Sequence, residues 1–285
     1  MKVSILGLGL IGGSVGLALR AALPDAQVRG WDHAPAAGAT ALQRGAIQTL
    51  ADDPRAAVAD AELVVLATPV LAVRDLLAAI APQLRPGAIV TDVASTKALV
   101  LEWAGAALPD SVAFVGGHPM AGSERHGVEH ARADLFQGAV WCLSPLAGAP
   151  AAAVETLEAV VQRLGAQPLR IDAATHDAAV AAVSHLPFML AAALVQLTSS
   201  DPDWPLLRRL AASGYRDMTR LASGDVTMHR DICLTNAAAI ALRLRQMARL
   251  LETLAERLDD PAALEALFAT AQQAREAWLR DRYGA

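Results

Sequence analysis

The sequence predicts an α/β chain in two parts, a doubly wound sheet over residues 1–170 and an all-helical domain over residues 171–285. Three observations predict it. Up to about residue 170, short β-rich runs alternate with Ala/Leu-rich stretches, as right-handed βαβ units on a parallel sheet do. After "PLRID" (168–172) the strand signals stop and long helical runs take over. The first expected strand also runs directly into a glycine-rich turn where a helix begins.

Taken in order, strands are expected at 3–8, 26–32, 62–68, 88–94, 112–117 and 139–145. "VSILGL" and "ELVVLAT" are two of these β-rich runs. Helices are expected between them at 12–23, 71–82 and 95–107. In the second part, 173–199, 203–222 and 229–257 read as helices, with Pro187, Pro202 and Pro205 as punctuation. These helices are apolar around much of their circumference, so they are expected to bury surface against a partner subunit as a dimerisation domain, making the protein a homodimer.

Composition sets outer limits. With 285 residues and 54% apolar content the chain can bury two cores. A formal charge of -5, spread along the chain, leaves no basic stripe for nucleic acid. Cys142 and Cys233 are far apart and form no disulfide framework or zinc knuckle, which fits a reducing cytoplasm. The apolar run from Met1-Lys2 to Leu19 carries five glycines and closes on Arg20, which argues against a signal peptide. No other stretch reads as ~20 apolar residues free of charge, so no membrane span is expected. The end at Ala285, soon after the last helix, is expected to leave no room for a regulatory domain.

The turn itself, Gly7-Leu8-Gly9-Leu10-Ile11-Gly12, is a G-x-G-x-x-G between strand and helix. Its glycines allow the tight turn, close approach of backbone to a pyrophosphate, and tight packing of helix on strand. Asp32 follows Gly12 by twenty residues, at the end of the second strand, where a carboxylate accepts ribose hydroxyls. It repels a 2′-phosphate, and His33 and Ala34 supply no arginine to receive one, so NAD is expected over NADP. The first part thus reads as a Rossmann-type dinucleotide-binding domain. Leu10 and Ile11 in the turn, and Thr68 and Pro69 at the carboxyl end of the 62–68 strand, complete the candidate cofactor residues.

Two later blocks, "TDVASTK" (91–97) and "VGGHPMAGSE" (115–124), end expected strands on the same carboxyl edge. Ser95, Thr96 and His118 are therefore candidates to face the nicotinamide; Ser95 and Thr96 are equally suited to cap the helix that follows. His126-Gly-Val-Glu-His130 matches H-x-x-E-H, a zinc pattern that needs its ligands on one helical face. Gly127 weakens a helix there and no third ligand is evident, so no metal is expected.

The blocks "GLGLIGGS", "DVASTK", "GGHPMAGSE", "AAVSHLP" (181–187) and "TRLASGDVTMHRDI" (219–232) occur in an order and spacing that resembles the prephenate and arogenate dehydrogenases over essentially the whole chain. The resemblance implies NAD-dependent oxidative decarboxylation of a small cyclohexadienol, prephenate or arogenate, in tyrosine biosynthesis. It implies His118 as catalytic base and Ser95 as its assistant. It implies Ser123 and Glu124, closing the His-Pro block, Arg220 for a substrate carboxylate, and His185 at the cleft as substrate-binding residues. Phe188 stands where the family often has histidine, and His229 where it often has tryptophan, which leaves the choice between the two substrates open. A 3-hydroxyacid or imine reductase is the competing enzyme reading, but such enzymes use a lysine on the first helix of the helical domain, and residues 171–200 contain none. A non-catalytic NAD-sensing regulator would not require His118, Ser95 and Arg220 together.

Overall fold

A computed structural model of the chain describes residues 1–122 and 125–284. Its first part alternates strand and helix: β1 (Lys2–Leu6), α1 (Leu10–Ala22), β2 (Gln27–Trp31), α2 (Pro35–Gln43), β3 (Thr49–Leu50), α3 (Pro54–Val58), β4 (Leu63–Leu66), α4 (Val70–Ile80), β5 (Ile89–Asp92), α5 (Ala98–Ala107), β6 (Ala113–Pro119), β7 (Val140–Pro145), α6 (Ala151–Arg163) and β8 (Gln167–Arg170). The strands lie in the order β3-β2-β1-β4-β5-β6-β7-β8. Successive residues of each central strand point to opposite cores. Leu63 and Val65 pack with α1 and α6 on one face, while Val64 and Leu66 pack with α3, α4 and α5 on the other. A strand covered on both faces has no need of polar alternation, which is why β4 (LVVL) is apolar throughout.

Strand order reverses between β1 and β4, so the carboxyl ends of those two strands open a crevice where ligands of doubly wound sheets bind. All pairings from β3 across to β6 are parallel, as expected. The next differs: β7 runs antiparallel to β6, and β8 runs parallel to β7. A parallel return needs a crossover, usually a helix. Between β6 and β7 the described residues hold only the 3₁₀ turn Val128–His130, whereas α6 supplies the crossover to β8.

The second part is helical: α7 (Ala173–Val180), a π-helical turn (Ala181–His185), α8 (Leu186–Ser199), α9 (Trp204–Leu210), α10 (Ser213–Thr219), a 3₁₀ turn (Arg220–Ser223), α11 (Val226–Thr235), α12 (Ala237–Ala255) and α13 (Pro261–Tyr283). Asp172 starts it, its carboxylate accepting the Ala174 and Thr175 N–H groups at 3.1 and 3.0 Å. Pro187 lacks an N–H to continue an α-helical ladder, and the wider π turn directly precedes it. Residues 173–199 form one continuous helical rod that is long and apolar enough to cross a bilayer by length and composition. This corrects the expectation that no such stretch exists; the rod carries one charged residue, Asp177, and that side chain is buried.

By packing, the chain divides into Met1–Ile240 and Ala241–Ala285. Helices α7 to α11 therefore belong to the same compact unit as the sheet, although the change from alternating to all-helical pattern falls at 170.

Candidate active site

The glycine turn is shaped by sterics. Gly7 has φ +96°, and a Cβ there would lie 2.5 Å from the carbonyl oxygen of Ala67. A Cβ on Gly12 would come within 1.9 Å of the Gly7 carbonyl oxygen, so α1 approaches the turn as only glycine permits. Gly9, the residue capping α1, meets nothing within 4 Å. Its open side faces outward at a helix N-terminus, where unpaired N–H groups favour an anion. Asp32 lies just past β2. Its Oδ2 accepts the Leu8 N–H at 2.6 Å and its Oδ1 the Ala34 N–H at 2.8 Å, with His33 Nδ1 at 3.2 Å. Two backbone donors fix the carboxylate and leave further lone pairs for ribose hydroxyls. These features fit a dinucleotide.

Beside the turn lies a cleft of about 550 Å³. Gly9, Leu10, Ile11, Thr68 and Pro69 line one side, Ser95 the edge of the sheet, and Arg220, Met228 and His229 the helical side. Thr68 Oγ1 is buried without a hydrogen-bond partner among the described residues. Ser123 and Glu124 lie outside the described residues. His126 and Gly127 also reach the cleft, but Gly127 has φ +86° and Val128–His130 is a 3₁₀ turn, so the H-x-x-E-H residues share no α-helical face.

His118 sits on β6 opposite Cys142 of β7 and is almost fully buried; unlike Ser95 and Arg220, neither it nor His185 is among the residues that line the cleft. Asp92, at the end of β5, holds this strand end in place. Its Oδ1 accepts the Gly117 N–H at 3.0 Å, its Oδ2 accepts the Ala94 N–H at 2.9 Å, and it pairs with the Lys97 ammonium. Both partners of that ion pair are inaccessible to solvent. His118 Nδ1 lies 2.9 Å from His176 Nε2, and His176 Nδ1 lies 2.8 Å from Asp177 Oδ1. Asp177 also accepts the backbone N–H groups of Lys97 (2.8 Å) and Ala98 (2.9 Å), so a side chain from α7 caps α5 where neither Ser95 nor Thr96 does.

Burial pushes the His118 pKa well below the usual 6.5, and the neighbouring basic groups His176, Lys97 and His185 push the same way, so the ring is neutral. His185, at the end of the π turn, is lowered to about 4, chiefly by burial. Asn236 donates its amide to the Asp177 carbonyl at 2.8 Å and lies 3.3 Å from His185 Nδ1. With Nδ1 accepting, the neutral ring carries its hydrogen on Nε2, which is buried and has no partner among the described residues. Phe188, tilted against His185 at 5.8 Å, stacks flat on His229 at 4.2 Å.

Sequence reasoning missed Asp92, His176, Asp177 and Asn236. A signal for one was present: Asp177 is the only charged residue between 173 and 199, and a lone charge in an apolar helix requires a buried partner.

The family description "Prephenate dehydrogenase, nucleotide-binding domain" matches residues 15–169, and "Prephenate dehydrogenase, dimerization domain" matches residues 172–273. The prephenate dehydrogenase of Bacillus subtilis (strain 168) is 38% identical over 253 residues, 87% of this chain and 68% of its own length. The crystal structure of prephenate dehydrogenase from A. aeolicus in complex with hydroxyphenyl propionate and NAD+ matches with a TM-score of 0.90 at 27% identity, over 97% of this chain and 98% of that one. Synechocystis arogenate dehydrogenase matches with a TM-score of 0.84 at 30% identity, over 98% and 100% of the two chains.

Proposed function

The chain belongs to the prephenate dehydrogenase family, and from that premise we propose that it is an NAD-dependent oxidoreductase that oxidatively decarboxylates prephenate or arogenate to 4-hydroxyphenylpyruvate or tyrosine. The observation that carries the reading is a neutral, buried imidazole, His118, on the same carboxyl edge of the sheet as a glycine turn that fits a dinucleotide. Gly7, Gly9, Gly12 and Asp32 hold the cofactor, with Leu10, Ile11, Thr68 and Pro69 along the cleft. NAD, when bound, supplies the hydride acceptor.

His118 Nε2, the nitrogen not committed to His176, takes the proton of the ring 4-hydroxyl. Ser95 on the cleft wall hydrogen-bonds the same hydroxyl. Arg220 binds a substrate carboxylate in a charge-assisted pair, and the buried His185 Nε2–H donates to a further substrate oxygen. Ser123 and Glu124 are proposed as substrate contacts from the resemblance of their block alone. Loss of carbon dioxide leaves an aromatic ring, and aromatisation drives the reaction.

We place the enzyme in the cytoplasm, which two free cysteines support, and propose that it works as a homodimer. Val226 and Leu197, on the helical side, are 82% and 74% exposed, apolar surface that a second subunit would cover. The deciding assay is NADH formation from NAD with prephenate and with arogenate, side by side. Turnover of either supports the reading; turnover of neither, with folded protein, overturns it.

A further inference from the structure

We propose that His176 and Asp177 are positioning residues that set the tautomer of His118, placing its hydrogen on Nδ1 and its lone pair on Nε2. The inference rests on the reading of His118 as the base. Both are buried, and the side chain of His176 is hydrogen-bonded to His118 on one side and to Asp177 on the other.

Asp177 receives the backbone N–H groups of Lys97 and Ala98, one on each oxygen, at the N-terminus of α5. A group that accepts on both oxygens beside a helix N-terminus fits a carboxylate, which has no hydrogen to give. The hydrogen in the 2.8 Å bond between Asp177 Oδ1 and His176 Nδ1 therefore belongs to His176. With its single ring hydrogen on Nδ1, His176 is bare at Nε2. Nε2 can then only accept across the 2.9 Å to His118 Nδ1, so that hydrogen belongs to His118. One nitrogen remains, and it is an acceptor: Nε2 of His118 is a base because a carboxylate two residues removed along the chain of bonds dictates it. The rings meet edge-on, 5.1 Å apart at 69°, an arrangement in which one ring offers its edge to the other.

In free solution a histidine samples both tautomers, and only one can take a proton at a given nitrogen. Without the pair, part of the His118 population would carry its hydrogen on Nε2 and be inert toward a hydroxyl.

The test combines spectroscopy and kinetics on the full-length protein. Nitrogen-15 chemical shifts of ring-labelled histidines report which nitrogen is protonated, and His118 is assigned by its absence from the H118N spectrum. We expect the wild type, without any ligand, to show His118 protonated at Nδ1. Finding it protonated at Nε2, as a cationic His176 donating from its own Nε2 would enforce, overturns the proposal whatever the activity. His176→Phe, which keeps the ring volume and removes the acceptor, should shift His118 toward the Nε2–H form and lower kcat by roughly 10- to 100-fold with KM within about twofold. His176→Gln, whose amide oxygen can accept from Nδ1, should restore the Nδ1–H form and bring kcat to within about threefold of the wild type. A purely structural role would lower thermal stability in both variants alike and leave the tautomer unchanged. If the wild type shows the Nδ1–H form but neither prephenate nor arogenate is turned over, the assigned function fails while the tautomer relay stands.

Discussion

The glycine turn at the head of α1 and the histidine cluster at the end of β6 share one edge of the sheet but are held by different forces. The turn is made of backbone. Its shape follows from Gly7 and Gly12, whose missing side chains let the chain pass Ala67 and itself at contact distance. The cluster is made of side chains drawn from β5, β6, α7 and the junction of α11 with α12: Asp92, His118, His176, Asp177 and Asn236. Its shape follows from polar groups that have no water to turn to. A backbone site accepts changes of side chain provided no Cβ intrudes. A buried polar network loses its geometry when any one member goes, because the others are left unsatisfied.

The largest effect should come from the cluster. His118→Asn keeps a hydrogen-bonding group but cannot accept a proton, so kcat should fall by ~10² to 10⁴ with KM for substrate little changed. Near-normal kcat would move the base elsewhere, with His185 next in line. Asp92→Asn should cost stability as well as activity, since Lys97 would be left buried opposite a neutral amide; about 3 kcal/mol is expected in urea unfolding. A loss below about 1 kcal/mol would mean that the pair is not what holds the strand end.

Acid should separate the two regions further. Burial lowers the folded-state pKa of both His118 and His185, so as pH falls through 6.5 the unfolded chain takes up protons first. Stability should therefore be complete above about pH 6.5 and decline on acidification, with His185, lowered to about 4, alone accounting for ~3 kcal/mol by the time it titrates. The acidic limb of kcat/KM should lie below pH 6.5 for the same reason, activity being lost as His118 is protonated. A stability curve flat from pH 7 to 4.5 would contradict the burial of neutral rings. The smallest effect should be at the turn: Gly9→Ala adds a methyl where nothing lies within 4 Å, so melting temperature should stay within about 1 °C while KM for NAD rises ~10-fold. An unchanged KM would show that the open side of Gly9 is not where the pyrophosphate approaches.

The same difference governs how much could be read from the chain. The turn and Asp32 were legible because their constraint is local: glycines at fixed offsets and a carboxylate one strand away. The six strands named from β-rich runs are all present, because both sheet faces are covered. The two-residue strand β3 left no periodicity to detect. The antiparallel turn of β7 depends on what the β6–β7 connection lacks, which a strand-by-strand reading does not weigh. The sequence predicts one helix over 203–222, yet it breaks at Ala211 and Ala212, two residues whose propensity is helical and whose tertiary setting is not. His176 and Asp177 were passed over because their partners lie 58 and 80 positions away.

The π turn at 181–185 has a consequence of angular phase. In an unbroken α-helix the nine residues from His176 to His185 turn through ~900°, which sets the two side chains on opposite faces. The wider turn winds less per residue and takes up part of that offset. His185 thereby reaches Asn236, which also binds the backbone of Asp177 one residue beyond His176. The rod thus carries a built-in slip of its winding. Deleting a single residue from this turn would let it rewind as α-helix with Phe188 and everything after it near their present phase relative to His176, because five residues at the wider winding turn through about what four do in an α-helix, ~400°.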